Sequence, residues 1–159
     1  MEFNGLPLHP LLVHAAVMLA PMAALTGWAY AARPSWRWAL RWPLLALAGS
    51  AALAITATYL SGRDLLDARF GGQPVLPDYL TTHQDRAGLL LIATWAFLGC
   101  AALGAWALGG TTALASGRGT RPDHATWRLP ALVLLALGGA AVLVLTFLTG
   151  DAGARAVWG

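Results

Sequence analysis

His9, His14 and His83 stand where long apolar runs begin, and Asp64, Arg86 and Asp151 stand close to where such runs start or stop. An imidazole at the mouth of a membrane helix is costly to keep, which makes it a functional-site hypothesis by default. Facing imidazoles from separate helices of a bundle can ligate haem iron or a metal ion, and neutral imidazole is the commonest metal ligand. His14, about one turn inside the first run, and His83, at the start of the third, form the pair predicted to do this. Haem b, a metal ion or a quinone is the expected ligand. His9 lies five residues before His14, about 140° away on a helical wheel. Both can address one point only if His9 sits outside the helix as a cap. Asp64 and Asp151 are candidates to fix an imidazole tautomer or accept a proton, and Arg86 completes the candidate set. The plainer alternatives are a helix-capping role for each histidine, and salt bridges from the aspartates to Arg86 or Arg155. No Walker loop, zinc-protease signature or nucleophile elbow is present, so the motifs give no sign of an independent enzyme.

These side chains need elements to hold them. The sequence is 58% hydrophobic and 11% charged, with a mean hydropathy of +0.62. A water-soluble domain of 159 residues carries a far larger charged surface. The pattern predicts an all-α integral membrane protein, a single domain of four transmembrane helices with spans at about 10–32, 43–62, 83–109 and 129–150. Leu11 to Ala32 contains no formal charge and is long enough to cross roughly 30 Å of hydrocarbon. Pro10 suits a first helical position, and Pro21 predicts a kink. The longest polar segment runs from Ser61 to Arg86. Within it, Thr81 with Gln84, or Thr82 with Asp85, resembles a capping box opening the third helix. Ala96, Cys100 and Gly104 recur at four-residue spacing, a small-residue stripe suited to a tight helix contact. Cys100 is the single cysteine, so no internal disulfide forms. The opening lacks a basic n-region, and the first helix itself is expected to direct insertion.

All ten basic residues are arginines. They are scattered among loops flanking the spans, which argues against a nucleic-acid partner. Loops one and three carry six arginines and one acid, while the N-terminus, middle loop and C-terminus carry four arginines and six acids. The positive-inside rule then places loops one and three in the cytoplasm and both termini outside. His9, His14, Asp64, His83, Arg86 and Asp151 all gather on the outer face in that orientation, and His124 falls on the other.

The chain also carries an internal similarity. Arg33-Pro34 through Gly62 parallels Arg121-Pro122 through Gly150, with a small-residue centre in each half. The ends match as Tyr59-Leu60-Ser61-Gly62 and Phe147-Leu148-Thr149-Gly150. Two repeated hairpins in parallel imply a pseudo-two-fold axis along the membrane normal, and a site on that axis would draw residues from both halves.

The opening Gly5-Leu6-Pro7-Leu8-His9-Pro10-Leu11-Leu12-Val13-His14 resembles the start of a bacterial family of small four-helix membrane proteins, catalogued as domain of unknown function twenty-two thirty-one. The resemblance covers nearly the whole chain. The family pattern has a Leu-His-Pro opening, a second helix ending in Gly and then Asp, and a His at the start of helix three. Helix four ends in a Gly-rich turn followed by an apolar aromatic residue. The matching positions here are His9, His14, Gly62, Asp64, His83, Gly150, Gly153 and Trp158. Ala16 stands where members often carry Pro. Asp151 stands where some carry His, so no ligand is carried over from helix four. Relatives are sometimes joined to Rieske-type or cytochrome c domains, which implies a place near quinone or electron-transfer chemistry. The expectation is a redox subunit of the bacterial inner membrane, holding haem b or a quinone near the extracytoplasmic face. It would exchange electrons with other membrane or periplasmic redox proteins. The alternatives are a non-catalytic anchor or accessory subunit of a larger complex, and a small metal-ion carrier. No span has an ionisable residue at mid-depth, which weighs against the carrier. A homo-oligomer remains open.

Overall fold

Pro10 falls in the first turn of α1 (Leu8–Ala32), where its missing N–H leaves no helical hydrogen bond unmade. The computed structural model describes residues 2–3, 6–71, 76–112 and 119–158. Helix α1 runs as one element through Pro21. At Arg33 the backbone turns extended (φ −122°, ψ 89°), as the residue before a proline is driven to do. A 3-10 turn at Pro34–Trp36 leads into α2 (Arg37–Phe70). Helices α3 (Asp78–Ala107) and α4 (Ala125–Trp158) follow. Two short antiparallel ladders join them. Strand β1 (Glu2–Phe3) pairs with β2 (Leu6–Pro7) ahead of α1, and β3 (Gly110–Thr112) pairs with β4 (Gly119–Arg121) between α3 and α4.

The fold is therefore all-α, with four helices long and apolar enough to cross a membrane. Each presents large apolar side chains outward. Met18, Leu53, Ile92 and Leu137, one from each helix, are 64%, 65%, 68% and 64% exposed. Such a surface has no place in water and suits hydrocarbon, where helices satisfy their own backbone. The chain is a multi-pass membrane protein.

Three helices outrun the predicted spans. Helix α2 continues past Gly62 to Phe70, α3 begins at Asp78, and α4 continues past Gly150 to Trp158. Hydropathy marks where a helix leaves lipid, not where it ends, and Arg63 to Phe70 remains a good helix former. The predicted capping boxes do not open α3. Thr81 already lies inside it, its Oγ1 donating back to the Asp78 carbonyl at 2.9 Å.

Helix α1 packs on α2 and α3 on α4 as two hairpins, which meet through α1 against α4 and α2 against α3. Burial repeats between the halves. Ala16, Ala20, Ala23, Gly27 and Tyr30 of α1 are buried, and so are Leu90, Thr94, Phe97, Ala101 and Gly104 of α3, each 74 positions further on. Leu44, Ala48, Ala51, Ile55 and Ser61 of α2 correspond likewise to Leu135, Gly139, Val142, Thr146 and Ala152 of α4, each 91 positions further on. The structural register thus sets Gly62 against Gly153, one turn beyond the Gly150 that the matched motifs suggest. A three-residue slip nearly restores a helical face, so the sequence motifs align plausibly in either register.

Small residues let these seams close. Ala20, Ala23 and Ala24 of α1 and Ala48, Ala51 and Ala52 of α2 are all fully buried. A Cβ on Gly104 would lie 2.6 Å from Leu135 Cδ1. The row that α3 buries is Phe97, Ala101 and Gly104, while Ala96, expected in the stripe, is exposed. Phe97 claims the interface because its ring fills the space that Gly27 and Gly138 leave open.

Candidate functional site

His9 precedes Ala16 by seven residues and His83 precedes Leu90 by seven. Seven residues bring a helix back to within about 20° of the same face. Each imidazole therefore starts the buried stripe of its own helix, at the rim where α2 and α4 run out. His9 Nδ1 donates to the Thr58 carbonyl of α2 at 2.9 Å, with Ser61 Oγ at 3.4 Å. His83 Nδ1 donates to the Thr149 carbonyl of α4 at 3.1 Å. A glycine four residues past each acceptor makes room for the ring. A Cβ on Gly62 would stand 2.9 Å from His9 Cε1, and one on Gly153 would stand 3.0 Å from His83 Cε1. The two halves hold their rings in the same way.

This tethering fixes the chemistry. A carbonyl can only accept, so Nδ1 carries the proton and the neutral ring keeps its lone pair on Nε2. A mid-helix carbonyl has a second lone pair for such a contact, and the Thr58 oxygen shares it between His9 and Ser61 Oγ, which also donates to it at 2.9 Å. Beside His83, Thr149 Oγ1 is buried and has no hydrogen-bond partner among the described residues. The arrangement offers two basic nitrogens and a free hydroxyl at one rim of an apolar bundle.

The other predicted residues take different places. His14 is exposed, and its Nδ1 donates to Pro10 O of its own helix at 2.7 Å. It is the His9 ring that occupies the seam. Neither aspartate bonds an imidazole, because a main-chain carbonyl of the neighbouring helix takes that place. Asp64 is half-buried on α2 and forms no ion pair among the described residues. Asp151 holds Arg155 through both oxygens at 3.1 Å and stands 3.9 Å from Arg86. Arg86 Nη1 reaches across to the Leu148 carbonyl at 2.9 Å. Trp158 ends α4, its side chain outside the described residues. Among the described residues, no three His, Cys, Asp or Glu side chains converge into a metal-holding group.

Sequence reasoning passed over Thr58, Gly62 and Gly153 as cradle residues. The signal was present as Thr-x-x-x-Gly in both halves, Thr58 to Gly62 and Thr149 to Gly153.

The opposite rim is built from arginine. Buried Arg37 donates to the carbonyls of Tyr30 (3.2 Å), Ala31 (3.4 Å) and Gly109 (3.2 Å) and pairs with Asp123 at 3.6 Å. Arg121 donates to the carbonyls of Ala105, at 2.7 Å, and Leu108. Guanidinium groups thus cap the carbonyl ends of α1 and α3, where positive charge also complements the helix dipole. His124 lies here, stacked on Trp106 with ring centroids 4.3 Å apart.

No family model matches the chain, and no curated protein or solved structure matches it.

Proposed function

We propose that this chain is a redox subunit of a bacterial inner membrane, related to the four-helix family its opening resembles. Its arginine rim would face the cytoplasm, and its histidine rim and both termini would lie outside. The observation that supports this reading is the matched tethering of His9 and His83. Two neutral imidazoles with Nδ1–H committed to main-chain carbonyls leave two Nε2 lone pairs, the kind of nitrogen donor that would hold haem iron. His9 and His83 would hold the iron, and the bound group would supply reversible one-electron transfer. The carbonyl bonds would keep each ring in its ligating tautomer, as outer hydrogen bonds do for metal-bound histidines. The glycines would let each ring lie against its neighbouring helix.

The test is a reduced-minus-oxidised visible spectrum of the purified protein. A b-type band should appear, vanish in His9→Ala and in His83→Ala, and survive in His14→Ala. Absence of both the band and any extractable quinone removes the redox reading and leaves an accessory or anchoring subunit. One observation favours a quinone at the same rim: the unpartnered Thr149 hydroxyl can donate to a quinone carbonyl. Solvent extraction yielding quinone from the wild type, and less from Thr149→Val, would select that ligand.

A further inference from the structure

Arg41 is half-buried and, among the described residues, unpaired at its rim, where Arg33 is also unpaired but exposed beside Trp36. Arg37, one turn away on α2, is bonded to three carbonyls and to Asp123. Arg128 also pairs with Asp123, at 3.6 Å. Arg121 is bonded to helix-end carbonyls. Arg41 forms no hydrogen bond or ion pair with any described residue, and its Nε is buried without a partner. Its guanidinium stands 5.2 Å from the Trp42 ring centroid. The fold does not demand a charge at this place. The equivalent position in the second half, 91 residues on, is Leu132, packed against the core.

Position 41 lies one turn, about 6 Å, from Arg37 on the side where the apolar run of α2 begins. Trp38 and Trp42 flank it and are exposed, as tryptophans at the headgroup level of a bilayer are. Among the described residues this rim sets Arg33, Arg37, Arg41, Arg121 and Arg128 against the single acid Asp123. A guanidinium at headgroup depth with unmet donors is a receptor for a phosphate, whose geometry its planar fork matches.

We propose that Arg41 is the centre of a binding site for the phosphate of an anionic phospholipid headgroup, flanked by Trp38 and Trp42. The chemistry recognised is a phosphodiester monoanion whose headgroup carries no compensating cation. The lipid is favoured over free phosphate because the site sits where the helix meets the apolar run. The proposal is independent of any ligand at the histidine rim.

Native mass spectrometry of the full chain in a neutral detergent tests it, with phosphatidylglycerol as the probe and phosphatidylcholine and inorganic phosphate as comparators. The wild type should retain phosphatidylglycerol preferentially. Arg41→Gln should retain about fivefold less, the loss of one cationic contact, and Arg33→Gln should behave as wild type. Arg41→Lys, which keeps the charge, should recover part of the retention and separates lost recognition from a lost fold. Equal retention by wild type and Arg41→Gln overturns the site. No recovery in Arg41→Lys overturns recognition by charge. Equal retention of phosphatidylcholine, or displacement by inorganic phosphate, overturns the anionic-lipid assignment.

Discussion

The two rims of this bundle are finished differently. At the arginine rim, Arg37 and Arg121 close the carbonyl ends of α1 and α3, and Arg37 and Arg128 share Asp123. At the histidine rim, each ring spends one nitrogen on a carbonyl and keeps the other, and Thr149 keeps its hydroxyl. Where the donors are used up, as at Arg37 and Arg121, the rim fixes the fold, whereas groups with spare donors or lone pairs can take a ligand. Removing Arg37 or Arg121 should therefore cost stability and spare binding at the histidine rim, and removing His9 or His83 should do the reverse.

The largest expected effect is at Arg37. Arg37→Ala strips donors from three carbonyls and leaves Asp123 without its buried partner, which should cost about 3 kcal/mol. Unfolding of the purified protein by denaturing detergent would read this, and a loss under about 1 kcal/mol would erase the contrast between the rims. Next come the cradle glycines. Gly153→Ala pushes a methyl to 3.0 Å from His83 Cε1 and should break the Thr149 tether. Alanine gains up to about 1 kcal/mol in helix propensity, so the net stability change should be small while any bound chromophore weakens. Gly150→Ala meets nothing within 4 Å and should stabilise by up to about 1 kcal/mol. If Gly150→Ala were the variant that lost ligand, the shorter repeat register would be right and the structural one wrong. Smaller still are the indole ties between hairpins, Trp28 Nε1 to Ala136 O at 3.0 Å and Trp95 Nε1 to Thr56 Oγ1 at 3.1 Å. Replacing either tryptophan by phenylalanine should cost about 0.6 kcal/mol, the average for interhelical hydrogen bonds in membranes. The least effect belongs to His14→Ala, since an exposed ring bonded to its own turn contributes only about 0.5 kcal/mol.

Four apolar runs between arginine-bearing loops made the class legible, and Pro10 marked where the first helix starts. The helix ends were not legible, because Arg63 to Phe70 is polar and still helical. The choice between His9 and His14 was available in principle. Stepping back by sevens along Tyr30, Ala23 and Ala16 leads to His9, and stepping back by seven from Leu90 leads to His83. Hydropathy instead drew attention to His14, which lies deeper in the apolar run but on the wrong side of the helix. Whether the two Nε2 atoms can meet at one ligand was not legible at all, because that depends on the spacing of two helices far apart in sequence.

Both imidazole tethers run inside a hairpin, His9 to α2 and His83 to α4, and neither crosses between hairpins. Each ring therefore travels with its own half of the molecule. A tilt of one hairpin against the other would widen or narrow the gap between the two nitrogens while leaving both tautomers locked.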